Sequence, residues 1–329
     1  MPNSTIAGLG HYIPKRKVTN SDLEKMMETT DEWIVERTGI KARHWADLDT
    51  DSTSNMGTKA ALMALENAQL APSDVEFIIF CTLSPDYNFP GGGVMVQEQL
   101  GLDTVGALDI RNQCSGFLYG LSVADQFIKT GMYKTVLVIG SEIHSSGLDI
   151  STRGRNVAVI FGDGAGAAVL TATNQTDKGI LSTHLHSQGK FAEELMVIEP
   201  SSTSRCRNEF SPERMFPIMN GSAVFKHAVT RFPEVIMEAL AKNGYSASDI
   251  SLLIPHQANL RISQFIQKSM KLSDDQVYNN IMHYGNTTAA SVPIAMLEAF
   301  QNGKIKEGDL ICLAAFGSGF TWASALIRW

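Results

Sequence analysis

The sequence predicts an α/β protein built from two similar halves, on the basis of its buried strands and its internal repeats. Apolar runs rich in β-branched residues, such as Val75 to Cys81 and Thr135 to Ile139, alternate with helical stretches. A strand that is apolar along its whole length is typical of a sheet covered on both faces. Similar runs recur from Ser251 to Ile254 and from Asp309 to Ala314, so the second half of the chain shows the same alternation.

Three sequence echoes, in the same order in each half, indicate an internal duplication. The matching segments begin at Ala64 and Ala239, at Cys114 and Asn286, and at Phe161 and Phe316. Each pair shares a layout, for example a helix, a turn containing Ser-Asp and an apolar strand in the first pair. We therefore predict two halves, 1–175 and 176–329, with Cys114 in the first and His256 and Asn286 in the second.

Composition excludes several classes of protein. The chain has 329 residues, of which 44% are hydrophobic, so it can bury a large core. A formal net charge of -7 argues against nonspecific nucleic-acid binding, which needs basic surface. No apolar run reaches the roughly eighteen residues of a membrane span, and the N-terminus lacks the apolar core of a signal peptide. We expect a soluble, cytoplasmic protein that does not insert into membranes.

Cys114 is the best candidate for a nucleophile among the four cysteines. It lies in DIRNQCSGFLYGL, where the apolar periodicity that follows predicts a helix beginning at the cysteine. A helix amino end stabilises a thiolate, so we expect a lowered pKa for this thiol. Cys81 and Cys312 lie inside apolar strand runs and are expected to be core residues, whereas Cys206 is expected to be exposed. The four cysteines show neither disulfide nor metal-ligand spacing, and no metal site is predicted.

His256 and Asn286 are the candidates for partners of Cys114. His256 leaves a buried strand through Pro255, and Asn286 follows Gly285 near the start of a predicted helix. Reactive groups in parallel α/β sheets collect beyond the carboxyl ends of strands, so the duplication should bring the three side chains to one cleft. The glycine-rich turn at 316–320 follows another strand, and its amides, with that of Cys114, would form an oxyanion hole.

Taken together, these motifs resemble the β-ketoacyl-(acyl carrier protein) synthase III family. The resemblance runs nearly end to end, through TTDEWIVERTGIKAR, FGDGAGAAVL, PHQANLRI, YGNTTAASVPIA and AFGSGFTW. It implies a duplicated, thiolase-like αβαβα five-layered sandwich and a homodimer. It also implies a catalytic triad of Cys114, His256 and Asn286. In this family, acyl-CoA acylates the cysteine, and decarboxylative Claisen condensation with malonyl-ACP gives β-ketoacyl-ACP, the first step of fatty acid biosynthesis.

The resemblance also implies binding residues. No cofactor is implied beyond acyl-CoA and malonyl-ACP, which are substrates. Gly317 and Ser318 match the oxyanion-hole turn, Lys226 and Arg261 match the basic patch that receives acyl carrier protein, and Phe89 matches a residue that reaches the partner's acyl pocket. The positions that match coenzyme A contacts are Trp33, Arg37, Arg155, Gly221, Phe225, Ala258 and Asn259.

Several departures from the family pattern leave alternatives for the acyl donor open. Gln113 replaces a small residue, Ser318 interrupts a glycine run, PGGG follows Phe89, and the segment 188–219, which includes Glu209, is long. One alternative is a related thiolase-fold acyltransferase of secondary metabolism or of long-chain acyl-CoA condensation. A cysteine hydrolase also uses Cys, His and Asn in this order, but its C-G-S-C-W motif is missing. A non-catalytic partner subunit would not be expected to keep the nucleophile.

Overall fold

The strands and helices below belong to a computed structural model that describes residues 2–207 and 210–329. The strands are β1 Asn3–Tyr12, β2 Arg16–Thr19, β3 Ala42–Trp45, β4 Phe77–Cys81, β5 Gly106–Ile110, β6 Thr135–Glu142, β7 Gly164–Thr173, β8 Gly179–Ser187, β9 Leu195–Met196, β10 Ile218–Met219, β11 Leu252–Pro255, β12 Leu310–Gly317 and β13 Thr321–Arg328. The helices are α1 Asn20–Leu23, α2 Asp31–Thr38, α3 Thr53–Asn67, α4 Gly92–Gln99, α5 Gly116–Lys129, α6 Arg155–Ala158, α7 Ser202–Arg207, α8 Gly221–Lys242, α9 Leu260–Met270, α10 Ile281–Tyr284 and α11 Ser291–Gln301. All four strands expected from apolar runs form, as β4, β6, β11 and β12.

Two sheets with the same topology confirm the duplication. The first has the strand order β1-β7-β6-β4-β5, and the second has the order β8-β13-β12-β11. In the first sheet, β4 and β6 are parallel, and β6–β7 and β7–β1 are antiparallel pairs. The second sheet repeats this pattern, with β11 and β12 parallel, and β12–β13 and β13–β8 antiparallel. A parallel bridge between Leu253 and Val277 stands where β5 stands in the first sheet. The boundary predicted at residue 175 stays a prediction.

The duplication extends to hydrogen bonds in the turns before β4 and β11. The Asp74 carboxylate accepts from the backbone N–H of Ala71 at 2.8 Å, and the Asp249 carboxylate accepts from that of Ser246 at 2.7 Å. Both aspartates belong to the repeated Ser-Asp pairs, so the same side chain caps the same short 3-10 turn in each half. The repeat in the sequence therefore reflects a repeated local structure.

The helices and sheets form five layers. The central helices α5 and α11 pack between the two sheets, in the largest buried apolar cluster. Helices α3 and α4 cover the outer face of the first sheet, and α8 and α9 cover that of the second. Side chains of β12 alternate between the two faces, with Ile311 toward the central helices and Cys312 toward the outer ones. This is the expected αβαβα sandwich. Of the described helices, none is both long enough and apolar enough to cross a membrane.

The two central helices begin with the same kind of turn. Their alignment differs by three residues from the one expected from sequence. A 3-10 turn at Gln113–Ser115 precedes α5, and one at Thr288–Ala290 precedes α11. The first residue of each turn, Gln113 and Thr288, has a φ of 42°. Cys114 is thus equivalent to Ala289, and Asn286 lies upstream of the turn. The pattern match of Cys114 with Asn286 was wrong because a helix-loop-strand pattern does not fix register to the residue.

Candidate active site

Cys114 lies in the turn that opens the central helix α5, as predicted. Its side chain is 6% exposed, whereas Cys81 and Cys312 are fully buried in β4 and β12 at 0%. Cys206, on α7, is exposed, and all four thiols are free. Cys114 is therefore the one cysteine that combines a helix start with a position that is not fully buried.

The expected lowering of the Cys114 pKa was wrong. Burial, with a smaller contribution from the Glu142 carboxylate, raises the pKa of this thiol to about 12, although the backbone N–H groups of Cys114 and Ser318 act in the opposite direction. A thiolate far from water loses its hydration, and in this site that loss outweighs the favourable backbone dipoles. The Cys114 thiol is thus neutral at physiological pH.

The glycine-rich turn after β12 lies directly against the sulfur. A β-carbon on Gly317 would be 2.8 Å from the Sγ atom of Cys114, so only a glycine fits here. The backbone N–H groups of Cys114 and Ser318 both interact with the sulfur. Two such donors beside a nucleophile suit the negative oxygen of a tetrahedral intermediate. This arrangement supports the predicted oxyanion hole.

His256 follows the carboxyl end of β11 and is 3% exposed. Its backbone N–H donates to the carbonyl of Ala314 on β12 at 2.7 Å, and its Nδ1 lies 2.6 Å from the hydroxyl of Ser291. Its Nε2 is buried without a hydrogen-bond partner among the described residues. Burial, with a smaller contribution from His144, lowers the pKa of His256 to about 3. The imidazole is therefore neutral at physiological pH, with a free nitrogen.

Asn286 is held by its backbone and by its side-chain oxygen. It pairs with the segment before β7: its N–H donates to the carbonyl of Ile160 at 2.9 Å, and its carbonyl accepts from Gly162 at 3.1 Å. Its Oδ1 accepts from the N–H of Thr288 at 2.8 Å. This hydrogen bond fixes the orientation of the amide, so its nitrogen remains available to donate to a ligand. The FGDGAG segment thus helps to position Asn286, through the N–H of Gly162.

The candidate triad lies where the two central helices begin. The turns that carry Cys114 and Thr288 meet closely, since a β-carbon on Gly116 would lie 3.7 Å from that of Ala289. His256 comes from β11 and Cys114 rests against Gly317 on β12, and these strands are neighbours with parallel directions. The helix α11 then begins at Ser291, which contacts His256. The described contacts therefore link the thiol, the imidazole and the amide through adjacent elements.

Buried polar residues around the triad were missed by the sequence reasoning. Glu142 accepts hydrogen bonds from the hydroxyl groups of Thr82 and Ser84 at the end of β6, and burial raises its pKa to about 7. His144 places Nε2 3.0 Å from the hydroxyl of Thr288 and packs on Phe161. The available signal was the stretch Ser141 to Ser145, which is polar apart from Ile143 and directly follows an apolar run.

Three of the residues expected to hold the adenine end of coenzyme A form one cluster. The guanidinium carbon of Arg37 lies 4.6 Å from the centre of the Trp33 ring, and that of Arg155 lies 5.0 Å from it. Asn259 joins this group, because its side-chain amide donates to the carbonyl of Arg37 at 2.9 Å. Ala258 and Asn259 lie two and three residues after His256 along the chain. A segment of four residues therefore joins the Trp33 cluster to His256.

The remaining predicted contacts lie on α8 and α9. Gly221 begins α8, and Phe225 and Lys226 follow one turn later. The guanidinium of Arg261 lies 5.9 Å from the centre of the Phe225 ring, so the two helices bring the predicted residues together. Lys226 and Arg261 are both exposed. Phe89 is 86% exposed and is not brought to the triad within this chain.

Two of the sequence departures have structural explanations. The Ser318 hydroxyl donates to the carbonyl of Leu195 at 2.5 Å, and so ties the long segment 188–219 to the turn beside Cys114. Phe191 of that segment stacks on Phe320 at 5.5 Å. In PGGG, a β-carbon on Gly92 would lie 2.4 Å from the Phe80 ring, so the run allows close packing. Glu209 lies outside the described residues.

The five-layered duplicated fold, with a cysteine at the start of its first central helix, defines a thiolase-fold condensing acyltransferase. Family models described as 3-oxoacyl-[acyl-carrier-protein (ACP)] synthase III and its C-terminal part match 108–189 and 240–329. A relative from Rhodospirillum centenum named β-ketoacyl-[acyl-carrier-protein] synthase III is 46% identical over 329 residues, which is 99% of each chain.

Solved structures of the same family are also similar to this chain. The 3-oxoacyl-[acyl-carrier-protein] synthase III from Aquifex aeolicus matches with a TM-score of 0.91 and 42% identity, over 99% of this chain and 100% of that one. The β-ketoacyl-[acyl carrier protein] synthase III from Thermus thermophilus matches with a TM-score of 0.92 and 38% identity, over 99% of each chain. The chain belongs to the β-ketoacyl-[acyl carrier protein] synthase III family.

Proposed function

We propose that the protein transfers an acyl group from acyl-CoA to Cys114 and then condenses it with malonyl-ACP. The neutral thiol of Cys114 attacks the thioester carbonyl, and the negative oxygen that forms is held by the N–H groups of Cys114 and Ser318. The carbon–sulfur bond to coenzyme A breaks, and the thiol proton goes to the departing coenzyme A sulfur. The products of this step are a thioester on Cys114 and free coenzyme A.

In the second step, malonyl-ACP loses its carboxylate as carbon dioxide. The released electron pair forms an enolate, whose oxygen accepts hydrogen bonds from His256 Nε2 and the Asn286 side-chain nitrogen. The enolate carbon attacks the acyl carbonyl and Cys114 leaves as a thiolate, which takes a proton from solvent. The product is a β-ketoacyl-ACP, the first intermediate of fatty acid biosynthesis. The observation that carries this proposal is the free, buried Nε2 of a neutral His256. His256 follows β11, the neighbour of the strand β12 whose Gly317 packs against Cys114.

Both substrates have candidate binding surfaces. The Trp33, Arg37 and Arg155 cluster offers an aromatic face and two guanidinium groups to the adenine and phosphates of coenzyme A. Exposed Lys226 and Arg261 are suited to an acidic carrier protein, even though the net charge of the chain is -7. We propose no further cofactor, because thiol, imidazole, amide and backbone N–H groups account for every step. The free cysteines support a cytoplasmic location.

A homodimer is also part of this proposal. The edge strand β5 is partly exposed along its length, and Leu108 on it is 38% exposed. The loop with Phe89, which is 86% exposed, is fixed to this edge by Asp109, which accepts from the N–H of Gly92 at 2.6 Å. An exposed apolar edge strand is a template for strand pairing. Pairing of β5 with its copy would carry Phe89 toward the partner, and Leu108→Lys should then give monomers by light scattering.

Separate measurements of the two half-reactions test the function. Intact-mass spectrometry with a panel of acyl-CoAs should show one acyl group on the wild type and none on Cys114→Ala. His256→Ala should still acylate Cys114 but should decarboxylate malonyl-ACP at least about 100-fold more slowly. Hydrolysis of acyl-CoA with no β-ketoacyl product would contradict the proposal, and so would equal loss of both steps in His256→Ala.

A further inference from the structure

The Ser291 hydroxyl occupies the side of the His256 ring that faces away from the free nitrogen. Ser291 Oγ lies 2.6 Å from His256 Nδ1, and the backbone N–H of Gln257 donates to the same oxygen over 3.4 Å. Ser291 is 2% exposed and His256 is 3% exposed, so both groups are shielded from water. The pairing of this serine with this histidine is therefore part of the buried interior.

The hydrogen bonds of Ser291 decide which ring nitrogen carries the proton. A hydroxyl has one hydrogen to donate, and among the described residues Nδ1 of His256 is the only acceptor within reach of Ser291 Oγ. The Gln257 N–H already uses the oxygen as an acceptor. If Nδ1 carried the proton and donated to Oγ, the buried hydroxyl hydrogen would have no acceptor. The arrangement that satisfies all three groups has the hydroxyl donating to an unprotonated Nδ1.

We propose that Ser291 is a positioning residue that holds His256 in the tautomer with its proton on Nε2. The buried and unpartnered Nε2–H then points into the site as a hydrogen-bond donor. With Nδ1 protonated instead, Nε2 would be an acceptor and would repel an enolate oxygen. The inference rests on the proposed function only for its consequence in catalysis, because the tautomer itself is a property of the free protein.

Two further observations agree with this role. The lowered pKa of His256, about 3, keeps the ring neutral, so the ring has a single N–H and its position matters. Thr288 begins the 3-10 turn before α11, and its backbone N–H donates to Asn286 Oδ1 at 2.8 Å. This leaves the side-chain nitrogen of Asn286 free to donate to a ligand. The start of α11 thus prepares both members of the pair as donors for one oxygen.

Nuclear magnetic resonance tests the tautomer directly and does not require activity. Long-range proton–nitrogen spectra of protein labelled at the histidine rings distinguish the two tautomers, and His256→Gln identifies the signal of His256. We expect the wild type to show the Nε2–H tautomer. A wild-type spectrum with the proton on Nδ1 overturns the proposal, whatever the enzyme's substrate proves to be.

Kinetics test the consequence for catalysis. In Ser291→Ala, we expect malonyl-ACP decarboxylation to fall by about 10- to 100-fold while acylation of Cys114 stays within about twofold. Ser291→Thr keeps a hydroxyl and should recover part of the loss. Ser263→Ala is the matched control, since it removes a buried helix hydroxyl that has no partner among the described residues. Unchanged decarboxylation in Ser291→Ala contradicts the role.

The two measurements separate the possible failures. If the wild type shows the Nε2–H tautomer but neither step occurs with any acyl-CoA or malonyl-ACP, the proposed function fails and the tautomer assignment stands. If both half-reactions occur and the tautomer is the other one, the inference about Ser291 fails and the function stands. If Ser291→Ala does not fold, the wild-type spectrum alone decides.

Discussion

A β-carbon on Gly317 would lie 2.8 Å from the Sγ atom of Cys114 and 2.6 Å from its Cβ. The Cys114 side chain therefore packs directly against the backbone at the end of β12, and a side chain at position 317 would have to displace it. We expect Gly317→Ala to lower the rate of Cys114 acylation at least about tenfold, because overpacking of this kind costs roughly 1–3 kcal/mol and shifts the sulfur from its donors.

Acylation is measured by intact mass after timed mixing with acyl-CoA. Gly147→Ala is the matched control, because a β-carbon there would meet nothing within 4 Å. Equal acylation rates in wild type and Gly317→Ala would show that the turn can move to accept a side chain. The close contact between Gly317 and Cys114 would then have no role in positioning the sulfur.

The raised pKa of Cys114, about 12, predicts how its reactivity depends on pH. Below the pKa, the thiolate fraction grows about tenfold for each pH unit. We expect the alkylation rate of Cys114 by iodoacetamide to rise throughout pH 7 to 10 without levelling off. Cys206→Ser removes the exposed thiol from the measurement, and Cys114→Ala identifies the signal. A plateau near neutral pH would restore the expectation that the helix start makes a thiolate.

The elements that carry Cys114, His256 and Asn286 were predictable from sequence, but the electrostatics around Cys114 were not. The Ser-Asp turns and the strand runs are local patterns that occur in both halves, so the duplication shows each of them twice. The helix start at Cys114 is a local pattern of the first half. The pKa of Cys114 depends on how completely distant segments exclude water. The sequence contains the helix start that favours a thiolate but does not show the burial that disfavours it.

Register and buried polar partners were the other limits. The offset of Asn286 from Cys114 depends on the 3-10 turns at Gln113 and Thr288, which no apolar pattern marks. Ser291 resembles any other small residue at a helix start until its distance to His256 is known. The contacts of Ser318 with Leu195 likewise join residues far apart in the chain, which a single sequence does not pair.

Glu142 predicts a pH dependence of stability. Burial raises its pKa from 4.5 to about 7, so between these values the folded state keeps a proton that the unfolded state has lost. The contribution of this group is fully present below pH 4.5 and declines as pH rises to 7. Relative to Glu142→Gln, the free energy of unfolding of the wild type should fall by about 3 kcal/mol across this window.

Urea denaturation of both proteins at several pH values between 4.5 and 8 measures this difference. Comparison with the variant removes the contributions of groups common to both. A difference that stays constant with pH, or grows as pH rises, would mean that the hydrogen bonds from Thr82 and Ser84 hold Glu142 ionised in the folded protein.

Two similar arginine–tryptophan pairs allow a test of the proposed acyl-CoA site. Arg37 lies 4.6 Å from the Trp33 ring, and Arg16 lies 5.2 Å from the Trp45 ring. Both arginines are exposed, but only Arg37 belongs to the cluster that leads to His256. A guanidinium group binds phosphate in a way that no neutral residue replaces. We therefore expect Arg37→Ala to raise the KM for acyl-CoA about tenfold.

In the same variant, kcat and the decarboxylation of malonyl-ACP should be unchanged, because the contacts of Arg37 are with Trp33 and Asn259 and not with the triad. Arg16→Ala should alter the KM for acyl-CoA by less than about twofold, since it removes the same kind of stacking outside the path. Equal effects of the two substitutions would assign the change to general surface charge. The adenine end of coenzyme A would then have to bind away from the Trp33 cluster.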